Sequence, residues 1–174
     1  MNPYLITRLF FWCAFLFVGL FIVPIVNNII YKKQRKKALK FYIPLMILII
    51  FSGVLPIVTI NTMKYSQLQL MLEGNYFLVG MLLCYCLAVF LTLLNKPRLD
   101  IYSSLILLAG VLLNWMGTNS FEGELINNEV GIYGDLVFFL LIIAPLIALC
   151  FSFMIFTISA YRIDDKDRIK KNAK

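Results

Sequence analysis

The chain contains no histidine, and charged residues make up only 14% of its 174 positions. Lack of histidine removes the commonest general base and the commonest metal ligand together. Of the four cysteines, Cys13, Cys84, Cys86 and Cys150, no two stand at CxxC or zinc-ribbon spacing, and all fall within apolar stretches. Other absences concern catalysis. There is no HExxH, no nucleotide-binding glycine loop, no acidic metal motif, and no Ser–Lys or Ser–His constellation at membrane depth. The sequence therefore implies a non-enzymatic protein with no cofactor, no metal site and no catalytic residue.

Apolar residues, by contrast, reach 61%, above the roughly 45–50% of soluble domains. Five apolar stretches carry the excess, at about residues 4–30, 41–63, 76–94, 101–117 and 132–161. Each approaches or exceeds the ~18–20 residues that cross hydrocarbon. The expected fold is thus a single all-α polytopic membrane domain of five transmembrane helices, with four as the alternative. A soluble enzyme, a nucleic-acid-binding domain and a disordered chain are excluded. The first stretch reads as a span rather than a cleavable signal peptide, because a basic block follows it instead of a small-residue cleavage site.

Charge sets the expected orientation. Lys32, Lys33, Arg35, Lys36, Lys37 and Lys40 separate spans one and two, while Lys96 and Arg98 separate spans three and four. Arg162, Lys166, Arg168, Lys170, Lys171 and Lys174 follow span five, so of the 16 basic residues only Arg8 and Lys64 fall on the other side. The positive-inside rule then places the amino terminus outside and the carboxyl terminus in the cytoplasm. The basic blocks read as topology determinants with some headgroup contact. Asp164, Asp165 and Asp167 dilute the tail as a polyanion binder, so specific nucleic-acid binding is not expected.

Helix faces carry further patterns. Span three repeats small residues at Gly80, Cys84, Ala88 and Thr92, and span five at Ala144, Ala148 and Ser152. Small residues let helix backbones approach in lipid, so these stripes predict that spans three and five pack on each other, with a homodimer face as the alternative. Cys84 belongs to the stripe, and Cys86 lies about 200° around the helix from it, so the two form no redox pair. Span four carries Ser103, Gly110 and Gly117 at seven-residue intervals with Asn114 between the glycines, a polar seam in which Asn114 can hydrogen-bond another helix. Pro24, Pro44, Pro56 and Pro145 read as kinks whose freed carbonyls neighbouring helices satisfy.

Two charges intrude into spans at the same outer depth, Arg8 and Asp135, and form a candidate ion pair. The plainer alternative is a snorkelling arginine and a helix-capping aspartate. The outer loop 117–134, with Glu122, Glu124 and Glu129, is either a recognition surface or a solvated connector.

In size, polytopic character and lack of catalytic groups, the chain resembles the small inner-membrane exclusion and immunity proteins of phages and plasmids. These include phage superinfection-exclusion proteins and immunity proteins against pore-forming colicins. The resemblance lies in whole-chain format and carries no residue across. It implies a protein of the bacterial inner membrane whose partners are the bilayer and another membrane protein, phage injection machinery or a pore-forming toxin, with a homo-oligomer as a further option. Alternatives are a small permease or transporter subunit and an accessory subunit of a larger membrane complex. Two formats of similar size do not fit. Quinone-coupled disulfide-forming enzymes need a loop CxxC pair, and a lipoprotein signal peptidase needs two outer-face aspartates where only Asp135 is available.

Alkaline-phosphatase fusions test the topology. They are expected to be active after residues near Gly74 and Gly123 and inactive near Lys37, Pro97 and Lys174. An active fusion at the carboxyl terminus would favour four spans.

Overall fold

The computed structural model describes residues 24–60, 63–120, 124–125, 136–137 and 139–172. Arg8, Cys13, Glu122, Glu129 and Asp135 lie outside the described residues, as does most of span one. The rest is mostly helical: α1 (24–31), α2 (Arg35–Ser52), α3 (Gln67–Leu72), α4 (Tyr76–Leu93), α5 (Pro97–Asn119) and α6 (Ala144–Asn172), the last preceded by a π-helical turn, Phe139–Ile143. Strands β1 (Pro56–Ile60), β2 (Met63–Ser66) and β3 (Glu124–Leu125) form a small antiparallel sheet in the order β2-β1-β3. Among the described residues, three helical stretches are long and apolar enough to cross a membrane: Tyr76–Leu93, Pro97–Thr118 and Phe139–Asp164.

The expected helix over 41–63 is corrected at both ends. It begins at Arg35, inside the basic block, and stops at Ser52. Eighteen residues rise about 27 Å, slightly less than a hydrocarbon core of about 30 Å. Beyond Gly53, Pro56 has no N–H for the helical ladder, and the run Ile57–Val58–Thr59–Ile60 is β-branched at every position, which favours a strand. The chain therefore turns into a hairpin instead of kinking at Pro56. Ser66 ends β2 and starts α3 with a capping box: its side chain accepts from the Gln69 N–H, and the Gln69 side chain accepts from the Ser66 N–H. An all-α description therefore omits a three-stranded sheet at one end.

Both described turns at the opposite end are short. Residues Leu94, Asn95 and Lys96 alone join α4 to α5, so the two helices must pack as antiparallel neighbours. Asn95 takes a left-handed conformation at φ 55°, a role asparagine fills at helix ends almost as readily as glycine. Pro97 then opens α5, where its missing N–H costs nothing.

In the bundle, α5 packs on both α4 and α6, α6 packs in turn on α2, and a smaller α2–α4 contact completes the ring. The expected direct packing of spans three and five is thereby corrected, since the span-three stripe and Ser152 of the span-five stripe meet span four. Gly80 faces Leu113, while Gly110 and Gly117 on α5 face Tyr85 with Cys84, and Leu78, respectively. On the other helix, Ser152 meets Ser104. The stripes were legible, but a three-residue connection decides which helix stands beside which.

Gly110 is one of two close approaches in the α4–α5 seam, with Gly117 against Leu78 the other. A Cβ at Gly110 would fall 2.7 Å from Cε1 of the buried Tyr85 and 3.0 Å from Cys84 Cβ. At Gly80 the nearest obstacle is the mobile end of Leu113, at 3.1 Å. Gly110→Ala is expected to destabilise the purified protein by about 1–3 kcal/mol, an ordinary overpacking cost. Gly80→Ala is expected to cost less, and thermal unfolding in detergent checks the order.

Candidate functional site

Helix α5 carries the buried polar groups of the bundle in three levels. At its first turn stands Asp100, 1% exposed, where the helix dipole favours a negative charge. Burial makes an isolated carboxylate prohibitively costly, so a cation must reach it. Arg35, at the start of α2 and 5% exposed, supplies a bidentate pair: Nη2 to Oδ1 at 2.7 Å and Nε to Oδ2 at 2.9 Å. The same guanidinium donates to the Thr92 carbonyl at 2.7 Å and to Asn95 Oδ1 at 2.8 Å. From α6, the Ser159 hydroxyl donates to Asp100 Oδ2 at 2.6 Å. One ion pair thus ties together α2, α4, α5 and α6.

One turn deeper lies a set of hydroxyls. Thr92 and Ser103 stand 2.6 Å apart, and both hydrogen-bond to the carbonyl of Ala88. On the neighbouring face, Ser104 donates to the Ser152 carbonyl at 2.9 Å, and the Ser152 hydroxyl donates to Ser104 at 2.9 Å. Ser103 and Ser104 are consecutive, about 100° apart around α5, which is how one helix addresses α4 and α6 at once. The fully buried Tyr42 brings its hydroxyl among Thr92, Ser103 and Ser152, but it makes no hydrogen bond of proper geometry there.

The third level answers a defect in α6. Pro145 has no N–H to donate to the carbonyl four residues back, that of Leu141, and a π-helical turn occupies this stretch. Asn114 Nδ2 donates to that carbonyl at 2.8 Å. Gln67 Nε2, from α3, donates to Asn114 Oδ1 at 3.2 Å and so fixes which way the amide faces. The sequence pointed to Asn114 as an interhelical group and to Pro145 as freeing a carbonyl; the structure joins the two.

Of the remaining predicted residues, Ala88, Ala144 and Ala148 are fully buried. Gly80, Cys84, Thr92, Ser103, Gly110 and Gly117 lie along the α4–α5 seam. The Glu124 backbone joins β3 opposite Thr59. Cys84, Cys86 and Cys150 are free thiols. Among the described residues, no three of His, Cys, Asp and Glu gather as a metal-holding group. What sequence reasoning missed is Asp100, and with it the role of Arg35, which was counted only as a topology charge. A signal existed: Asp100 is the lone acid between Glu73 and Glu122.

Searches against protein-family models, curated proteins and solved structures find no match to this chain.

Removing one member of a buried ion pair strands the other. Asp100→Asn and Arg35→Gln are each expected to cost about 3–5 kcal/mol, whereas Arg35→Met combined with Asp100→Leu recovers much of the loss. A double-mutant cycle on unfolding in detergent reads the coupling directly.

Proposed function

We propose that the chain is a non-enzymatic, multi-pass protein of the bacterial inner membrane, with five spans, the amino terminus outside and the carboxyl terminus in the cytoplasm. In this reading it blocks an incoming agent at the membrane, either phage DNA entry or a pore-forming toxin. The supporting observation is how the polar groups are used. Arg35, Asp100, Ser103, Ser104 and Asn114 are engaged with one another and with backbone carbonyls, an arrangement that holds helices together. The outward face of α4, in contrast, is broadly apolar, with Leu83 65%, Leu87 46% and Phe90 58% exposed. A surface of that kind meets lipid or another membrane-embedded partner, and contact there is enough for a blocking role.

A permease is the reading from another class. In its favour, the buried hydroxyls of Tyr42 and Tyr85 have no hydrogen-bond partner, and both lie inside the bundle.

A challenge assay separates the two. Expressed in a sensitive host, the chain is expected to reduce killing by at least one member of a phage and colicin panel. Leu83→Ala, Leu87→Ala and Phe90→Ala together should weaken that protection while membrane levels stay normal. Altered solute uptake with no protection would favour the permease.

A further inference from the structure

We infer that the Arg35–Asp100 pair holds two basic turns together as one surface for anionic phospholipid headgroups at the basic end of the bundle. In sequence the two turns are about sixty residues apart. In the fold, Arg35 reaches across to Thr92, Asn95 and Asp100, so the turn leading into α2 abuts the turn leading into α5. Exposed Lys32, Lys36, Lys37 and Lys40 on the first turn and helix therefore share one end with exposed Lys96 and Arg98 on the second. The end of α6 joins them, because Lys33 Nζ sits 5.1 Å from the centre of the Tyr161 ring.

Acid is scarce in this region. On the two turns the one acid is Asp100, engaged by Arg35 and Ser159, and although the end of α6 adds Asp164, Asp165 and Asp167, the basic residues of the two turns and that helix end outnumber them. Like charges gathered in this way repel one another unless an external anion lies among them. The flanking residues indicate which anion. Tyr31 is 89% exposed beside Lys32, Phe41 48% beside Lys40, and Tyr161 52% beside Arg162. Aromatic side chains at the level of the charges suit the boundary of a bilayer, where rings rest among headgroups while ammonium groups meet phosphates. A free soluble phosphate offers those rings nothing to rest against. The inference rests on the membrane placement proposed above and is independent of the blocking role, since lipid retention is measured with no host present.

Native mass spectrometry of the full chain, released from micelles containing phosphatidylglycerol and phosphatidylcholine of matched acyl chains, tests it. Wild type is expected to retain phosphatidylglycerol preferentially. Lys36→Gln/Lys37→Gln/Lys40→Gln and, separately, Lys96→Gln/Arg98→Gln should each lower that preference by about fivefold or more, and Lys64→Gln in β2 should leave it unchanged. Unaltered thermal unfolding in neutral detergent confirms that the variants are folded. Equal retention of the two lipids by wild type would overturn the proposal, as would a loss confined to one of the two variant sets. Loss of the preference on adding glycerol 1-phosphate would overturn it as well, by showing a site for a soluble phosphate instead of a lipid surface.

Discussion

A carboxylate sealed inside a helical bundle needs a cation beside it, and the placement of Asp100 imposes that requirement on everything around it. Arg35 meets it from α2, which is why the α2 helix begins within the basic block and not after it. Asn95 and the Thr92 carbonyl take up the remaining reach of the guanidinium, and Ser159 brings in α6. Four helices are registered at one end by a single charge. A buried pair adds little net stability over an apolar replacement, so its contribution here is to fix which helices meet and at what height.

From that anchored end, α5 organises the interior by addressing two neighbours on faces roughly a quarter turn apart. Ser103, Gly110 and Gly117 line the α4 side and Ser104 faces α6, while Asn114, about 40° round the helix from Gly110, reaches the Leu141 carbonyl with its side-chain amide. Close backbone approach and hydroxyl-to-carbonyl bonds do the work that apolar burial does in water, because hydrocarbon gives apolar faces no reason to prefer each other.

Much of this could be read from residue patterns. The apolar stretches around 76–94, 101–117 and 132–161 coincide with the three long apolar helices, and the seam on span four and the amide of Asn114 were both visible as spacing. Three things were not. Periodicity cannot tell which helix a small-residue stripe will meet, and here the three-residue turn at 94–96 assigned the α4 stripe to α5. Hydropathy cannot tell an apolar helix from an apolar hairpin, so 53–63 read as the end of a span although Pro56 and its β-branched successors turn it into strand. Pairing across about sixty residues leaves no local trace, and Arg35 looked like one more charge in a basic block.

The amide of Asn114 and the proline at 145 also bear on how the chain is built. A ribosome delivers α5 well before α6, so when Leu141 and Pro145 emerge, the group that will satisfy the vacant carbonyl is already in place. The Ser104 hydroxyl likewise precedes Ser152, and Asp100 precedes Ser159. The Leu141 carbonyl, Ser152 and Ser159 each find a partner on an earlier helix. During synthesis α5 thus serves as a template, and a chain that stops short of α6 is left with Ser104, Asn114 and one side of Asp100 uncovered. Exposed polar groups of this kind are what cellular quality control can detect, so incomplete copies carry their own mark for removal.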